Sequence, residues 1–309
     1  MKRIWIIWVC LILWMAGTAC EKEIEFDGEE RASKLTISAM MDAGKPITIY
    51  VSSSVFFLNS PNNSEGYTAH LDTARGQVRV FVNDANIAKK AELIPDTDWY
   101  YSYSLCYGCD YVPVPGDRIR IEAEFPGYDA VWAETVVPFL PRFEVVSVSP
   151  ENCEMTIRID DDAAFDKYYY LHLHTHCEDV DGTIYDMRIP FTSSDVLFRN
   201  VSSQLSFGGL DYWDSEEWVD YYLFPDELIK GKSYSFKIKW HGIVADQGEG
   251  IYVDFSTVTD SFYWYVTSYE TLRNSDGGLF GEGVTLYCNV KGGYGVVGAY
   301  SSETRVVEW

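Results

Sequence analysis

The stretch from residue 117 to residue 137, DRIRIEAEFPGYDAVWAETVV, predicts the fold class of this chain. Between Asp117 and Phe125, apolar and charged residues alternate, so the apolar side chains share one face of a strand. Pro126-Gly127 follows as a turn signal, and Ala130 to Val137 predicts the returning strand. The stretch therefore predicts an antiparallel hairpin with one buried face.

The same alternation continues on both sides of this hairpin. Further strands are predicted around Leu35–Met41, Ile47–Val51, Val78–Val82, Met155–Asp160, Ser233–Trp240 and Ile251–Phe255. Short strands at this spacing are typical of antiparallel sandwiches. Pro138 and Pro141 bracket a break between two such groups. We therefore predict an all-β protein with two antiparallel β-sandwich domains of immunoglobulin or fibronectin type, at residues 33–138 and 139–309.

One segment of the second domain has helical spacing instead. Its apolar positions are Phe262, Tyr265, Val266, Tyr269 and Leu272. Thr259 or Asp260 can cap its first N–H groups, and Gly277-Gly278 follows it. We predict an amphipathic helix near 259–273 that lies on the sheet.

The first residues predict export from the cell. Lys2 and Arg3 precede an apolar run of 12 residues, which is too short to span a bilayer. Small residues then lead to Cys20, so residues 1–19 predict a lipoprotein signal peptide with acyl chains added at Cys20. Gly17 stands at the third position before the cysteine, where a lipobox usually has an aliphatic residue. The alternative is an ordinary signal peptide followed by an incidental cysteine.

The charge of the chain limits its partners. The chain has 47 acidic and 24 basic residues among 309, with a formal net charge of −23. Nucleic acids are excluded as partners because phosphate binding requires a basic face. Residues 20–32 form an acidic tether. Membrane contact is therefore expected through the lipid anchor alone.

Several motifs in order resemble a known family. They are Cys20-Glu-Lys-Glu-Ile-Glu-Phe26, Ser52–Leu58, Pro115-Gly-Asp117, Pro126-Gly-Tyr128, Ala133–Pro138, Leu228–Tyr234 and Gly292–Ser301. Together they resemble Bacteroidota lipoproteins that are classed as a domain of unknown function. The resemblance implies an outer-membrane lipoprotein, often encoded near TonB-dependent receptors, and it brings no catalytic residues. The acidic stretch after Cys20 resembles that of surface-exported lipoproteins in Bacteroidota.

His172, His174 and His176 are the candidates for metal binding. Alternate residues lie about 6.6 Å apart along a strand, so two of the three can share one ion. A third ligand would have to come from a neighbouring strand, and the sequence does not show one. The alternative is a polar outward face, with Leu171, Leu173 and Thr175 inward. We expect no bound metal and no cofactor.

A hairpin turn at Asp181-Gly182 is predicted to join residues 167–177 to residues 183–191. A strict two-residue turn pairs the histidine face with Met187, Ile189 and Phe191. One bulge reverses this pairing, so the buried side stays open at this point.

Cysteines offer a possible cross-link in the second domain. Cys153 and Cys177 stand at opposite ends of two strands that are neighbours in sequence, which predicts a disulfide between them. Cys106 and Cys109 could close a small loop.

The segment Asp211–Phe224 combines aromatic side chains with carboxylates. Its candidate binding residues are Tyr212, Trp213, Trp218, Tyr221 and Tyr222. They predict either an exposed platform for a glycan, peptide or protein partner, or a cover over the core.

Two further motifs are rejected. Gly293-Tyr-Gly295-Val-Val-Gly298 spells a dinucleotide-binding string, but too few residues follow for the required helix and acidic residue. These glycines instead predict a bulge or a close strand crossing. Asp179-Val-Asp181-Gly182 fails the ligand pattern of a calcium loop.

We therefore expect a non-enzymatic binding or accessory protein. The alternative is a cell-surface hydrolase that uses a metal on the histidine strand or a pair of carboxylates.

Overall fold

A computed structural model describes residues 32–55, 71–88, 91–94, 104–165, 167–199, 202–205, 218–242, 250–274 and 285–308. Residues Ser33–Trp309 form one compact unit. The predicted signal peptide and Cys20 lie outside the described residues, as does nearly all of the predicted tether. No helix among the described residues is long and apolar enough to cross a membrane.

The described residues of the first half of the compact unit form eight strands. In chain order they are β1 (Leu35–Asp42), β2 (Ile47–Ser53), β3 (Gln77–Val82), β4 (Ala85–Ala88), β5 (Glu92–Ile94), β6 (Leu105–Cys109), β7 (Arg118–Glu124) and β8 (Val131–Val136). The predicted hairpin is β7–β8, and its antiparallel register pairs Ile121 with Ala133. Both side chains are buried, as the alternation predicts.

In the second half, the part of the chain that the structure describes forms ten strands and one α-helix. They are β9 (Phe143–Ser149), β10 (Glu154–Asp160), β11 (Tyr168–Glu178), β12 (Ile184–Arg188), β13 (Phe191–Thr192), β14 (Ser202–Leu205), β15 (Val219–Pro225), β16 (Ser233–Trp240), β17 (Ile251–Val258), α1 (Asp260–Asn274) and β18 (Tyr294–Val307). Mostly antiparallel sheets and a helix within one residue of the predicted bounds confirm the all-β expectation at this level.

Two sheets contain these strands. The larger sheet has the order β5-β6-β2-β1-β18-β17-β11-β15-β13-β16-β10-β9, with β12 beside β11 and β14 beside β15. The smaller sheet has the order β4-β3-β7-β8. In the first half, apolar residues of both sheets meet in one core, for example Ile37 of β1, Ile49 of β2 and Ile121 of β7. This half is therefore two sheets packed face to face.

The second half surrounds a separate core. Its members come from β9 to β11, β13 and β15 to β18 of the larger sheet, together with the short 3₁₀ turn Val196–Phe198. Phe143 on edge strand β9 lies 5.2 Å, between ring centroids, from Phe255 on β17. Because these strands are far apart in the sheet order, the sheet curves around this core. The sequence predicts two stacked sheets here.

Strand β18 joins the two halves. Its first seven residues pair in parallel with β1, from Thr36–Tyr294 to Asp42–Tyr300. Its last eight residues, Tyr300–Val307, pair antiparallel with β17, so Tyr300 has a partner on each side. One sheet therefore runs through both predicted domains, and the predicted boundary after residue 138 falls between β8 and β9. The two-domain count stays a prediction.

Glycines permit the close contact between β1 and β18. Gly295 has a φ of +110°, and a Cβ there would lie 1.9 Å from the carbonyl oxygen of Ile37. At Gly293, a Cβ would lie 2.2 Å from the carbonyl oxygen of Leu35. The glycine string therefore serves a close strand approach, as the sequence predicts.

Helix α1 covers the second face of the sheet near β11, β15 and β17. Phe262, Tyr263 and Val266 of the helix pack with Tyr221, Leu223 and Val258. The opposite face of the same strands lies on the second core. Strand β15 is therefore buried on both faces along most of its length.

Candidate functional site

A groove of about 890 Å³ lies where the two halves meet. It is lined by the connection between β8 and β9, by the start of β11, by the end of β17 and by the start of α1. Four of its apolar side chains are exposed to solvent: Val136, Phe139, Leu140 and Phe165, of which Phe165 is 68% exposed. Apolar groups gathered around a concavity are typical of binding sites.

A buried polar network holds one wall of the groove. The Asp161 side chain is fully buried and forms an ion pair of 3.1 Å with Lys167. Its carboxylate also accepts hydrogen bonds from the Tyr169 hydroxyl and from the Gly231 N–H. Burial and the hydrogen bond to this carboxylate raise the pKa of Tyr169. The network fixes the loop that carries Phe165.

The charged lining of the groove is mainly acidic. Four carboxylates line it, those of Glu134, Asp160, Asp162 and Asp260, against the cations Arg142 and Lys167. Both cations pair with carboxylates, since Lys167 lies 3.1 Å and Arg142 lies 3.7 Å from Asp162. The groove therefore favours neutral or cationic ligands with apolar groups.

The three predicted histidines share the outer face of β11. Leu171, Leu173 and Thr175 are fully buried, and the histidines between them are partly exposed. The predicted hairpin to β12 is present, and it is closed by residues 179–183. Its register places His174 opposite Arg188 and His176 opposite Asp186. This is the reverse of the strict two-residue turn, because the loop is longer.

A carboxylate from the neighbouring strand meets two of these histidines. Asp254 on β17 lies directly opposite His172 in the antiparallel register. Its Oδ2 lies 3.0 Å from His172 Nε2 and 2.8 Å from His174 Nδ1. His176 Nδ1 lies 2.7 Å from Asp186 Oδ1. The convergent third ligand that the sequence does not show is therefore present.

The electrostatics of this cluster favour its charged form. Burial raises the pKa of Asp254, but hydrogen bonds from His172, His174 and Thr304 outweigh burial and leave the pKa below its usual value. The hydrogen bond to Asp254 raises the pKa of His174, against a smaller opposing effect of burial. The carboxylate therefore stays ionised next to two imidazole rings.

The aromatic platform predicted at Asp211–Phe224 is wrong for its described members. Trp218, Tyr221 and Tyr222 are all buried. Tyr222 packs on Phe191 and Phe198 in the second core, and the Tyr221 hydroxyl donates to Glu270 of α1. Helix and core cover opposite faces of β15, so neither face is open. Tyr212 and Trp213 lie outside the described residues.

The predicted disulfide between Cys153 and Cys177 is absent. Neither cysteine forms a disulfide in the structure. Cys153 precedes β10 and Cys177 ends β11, and β15, β13 and β16 separate these strands in the sheet. Neighbours in sequence are not neighbours in this sheet, and that is why the prediction fails. No disulfide joins Cys106 and Cys109.

Several residues of these sites carry no local signal in the sequence. Asp254 is one acidic residue among many, and only the register of β11 with β17 identifies it as a partner of the histidines. Phe139 and Phe165 are of a residue type that is usually buried, so the sequence gives no sign that they are exposed. Pro138, Pro141 and the acidic run before Phe165 do mark exposed connections, and that signal could have located the groove.

Comparison with known proteins identifies a family. No curated protein matches the chain. Among solved structures, that of bovine butyrophilin matches at 9% identity, over 74% of this chain and 92% of that chain. The TM-score of this match is 0.19, which is too low to establish a shared fold. The family described as a domain of unknown function (DUF4249) matches residues 21–305, and the chain belongs to that family.

Proposed function

We propose that this chain is a lipid-anchored binding protein of the outer membrane that uses the groove between its two halves to hold a partner, a TonB-dependent receptor. The observation that carries the proposal is the group of exposed apolar side chains around the groove. Exposed apolar clusters of this kind are costly in water and commonly mark interaction surfaces.

The groove supports one kind of occupant. Phe139 and Phe165 offer aromatic surface, and the carboxylates at the rim outnumber the cations. We infer an uncharged or cationic peptide segment with an aromatic or aliphatic anchor, because such a segment matches both features. An anionic glycan or phosphate compound would be repelled.

The anchor and the location rest on the first residues of the sequence. A short apolar run and small residues before Cys20 support lipidation, and the acidic residues that follow support display at the surface of a Bacteroidota cell. The assignment of the two halves as immunoglobulin-like or fibronectin-like domains belongs to the same proposal. It is supported by the two separate cores.

Affinity purification of the full-length chain from solubilised outer membranes tests the partner. We expect a TonB-dependent receptor, identified by mass spectrometry, to be recovered with the wild-type chain. The double variant Phe139→Ser with Phe165→Ser should reduce this recovery at least about fivefold, since interface anchors carry most of the binding energy.

A matched control places two serines on an exposed hairpin away from the groove. Val180→Ser with Ile184→Ser removes apolar side chains that are at least as exposed as Phe139 and Phe165 and should leave recovery unchanged. Circular dichroism should show the same fold for both double variants. Recovery of no receptor by the wild type would refute the partner, and equal recovery by both double variants would refute the groove.

A further inference from the structure

We propose that His172, His174 and Asp254 form a zinc site on the outer face of the second half, which replaces the expectation of no bound metal drawn from the sequence alone. This inference goes beyond the proposed function and does not depend on it. Tyr168 lines the groove, and His172 lies four residues farther along β11, about 13 Å away at the rise of a strand. The two sites are therefore separate.

Two of the three distances between the ligand atoms are already close to those that zinc requires. Zinc bonds to nitrogen and oxygen are about 2.0–2.2 Å long, which places tetrahedral ligands about 3.3 Å apart. The nitrogens of His172 and His174 lie 3.0 Å and 2.8 Å from one oxygen of Asp254. All three ligand atoms lie within 4.8 Å of one another. The two nitrogen–oxygen distances need to lengthen by only a few tenths of an ångström to admit the ion.

Without metal, the imidazole rings of His172 and His174 share one hydrogen-bond acceptor, Asp254 Oδ2. In that form His172 and His174 each direct an N–H at the same Asp254 oxygen. A zinc ion replaces both protons and satisfies both rings and the carboxylate together. His172 Nδ1 is buried and has no hydrogen-bond partner among the described residues. The His172 ring can therefore adjust without breaking a bond there.

Surrounding residues hold the ligands in place. The Thr304 hydroxyl, on β18, donates to the other oxygen of Asp254, so the carboxylate is oriented by a second strand. The ring of Tyr252 stacks on His174 with centroids 4.9 Å apart. Such supporting contacts are typical of metal ligands and strengthen binding. Both histidines and Asp254 lie on the paired strands β11 and β17, which are rigid elements.

The ligand chemistry selects a transition metal. Two imidazoles and one carboxylate suit zinc, whereas calcium and magnesium require more oxygen ligands. Three protein ligands leave a fourth position, and the partly exposed histidines open it to solvent. The position can hold water or a donor atom of an external ligand.

A second set shares one of these ligands. His174, His176 and Asp186 also lie within reach of one ion. The Asp186 side chain is 66% exposed at the hairpin. Arg188, which is on β12 like Asp186, lies opposite His174 and places a positive charge beside this second set. Asp254 is mostly buried and held by Thr304, so the first set is the better prepared of the two.

Zinc titration of the full-length chain, purified in detergent and freed of metal with a chelator, tests the site. Competition with a chromogenic chelator should show one zinc per chain. Affinity should fall at least about tenfold in His172→Gln and in Asp254→Asn, and about tenfold in Thr304→Val, which loses only a supporting contact. The matched control His176→Gln should stay within about threefold of the wild type.

Thermal unfolding provides a second readout in case a variant is destabilised. Zinc should raise the Tm of the wild type and of His176→Gln and leave the Tm of His172→Gln unchanged. Calcium at the same concentration should have no effect. The proposal is overturned by the absence of stoichiometric zinc, by full affinity in His172→Gln, by an equal effect of calcium, or by a loss confined to His176→Gln.

Discussion

At the scale of single residues, the close contact between β1 and β18 is possible because glycine has no Cβ atom. Gly295 has a positive φ, and the carbonyl oxygen of Ile37 lies only 1.9 Å from the point where a Cβ would be. Gly44 also has a positive φ, of +100°, but nothing lies within 4 Å of its missing Cβ. An alanine at Gly44 would therefore add backbone strain alone, whereas an alanine at Gly295 would add both strain and a steric clash.

We expect Gly295→Ala to lower the free energy of unfolding by about 3 kcal/mol or more, because strain and clash act together. Gly44→Ala, the control, should cost about 1 kcal/mol from strain alone. Urea denaturation of the two variants measures both values. Equal losses would show that β1 can move away from β18 at little cost.

A second residue-scale prediction concerns Asp117. Burial opposes its ionisation, but hydrogen bonds from the Tyr111 hydroxyl, the Val114 N–H and the Asn83 amide outweigh burial and lower its pKa. A lowered pKa in the folded state stabilises the fold above the ordinary pKa of about 3.9. This stabilisation is lost as the pH falls through the lowered pKa of the folded state.

Asp117→Asn should therefore reduce the free energy of unfolding by about 2 kcal/mol at pH 7, the range for hydrogen bonds to a charged group. The difference from the wild type should shrink as the pH falls below about 4. Urea denaturation from pH 7 to pH 3 measures it. A difference that is constant with pH would contradict the role of the carboxylate charge.

At the scale of secondary-structure elements, α1 is joined to β18 at its first turn. Thr259 precedes the helix, and its hydroxyl accepts the N–H of Phe262 at 3.3 Å and the N–H of Ala299 at 3.1 Å. The Thr259 N–H in turn donates to the carbonyl of Ala299. One side chain therefore caps the helix and fixes it to the sheet.

Replacing this hydroxyl should destabilise the protein more than an exposed change of the same kind. We expect Thr259→Val to cost about 1–2 kcal/mol, because two buried N–H groups lose their acceptor. Thr271→Val, the control, removes an exposed hydroxyl bonded to the carbonyl of Thr267 and should cost a few tenths. Equal shifts in the unfolding midpoint would count against the cap.

Elements were predictable where one strand or one helix contains the whole signal. The alternation in β1, β7, β10 and β11 and the capped helix α1 each follow from local residues. Pairing did not follow, because the order of strands in a sheet depends on contacts between distant segments. The partnership of His172 with Asp254 and the separation of Cys153 from Cys177 are both consequences of that order.

Burial of aromatic residues was also beyond local signals. Tyr221 and Tyr222 point to opposite faces of β15, and an isolated strand would expose one of them. The helix covers the face of Tyr221 and the core takes the face of Tyr222. Only the position of α1, an element later in the chain, decides that neither residue is available to a partner.

At the scale of the whole molecule, attachment to the membrane is the central prediction. Lipidation at Cys20 should hold the chain at the membrane through its acyl chains. We expect Cys20→Ala to abolish labelling by a fatty-acid analogue and to move the chain to the soluble fraction after cell lysis. A variant that stays in the membrane fraction would contradict the anchor.

The pairing of β1 with β18 sets the order of events when this chain is made. The paired residues Ile37 and Gly295 are roughly 260 positions apart, so β1 emerges from the ribosome long before its partner. Contacts of such high separation slow folding, and an unpaired strand edge invites aggregation in the interval. The outer edge of β1 therefore stays unpaired until β18 becomes available, and aggregation through that edge competes with folding in the interval.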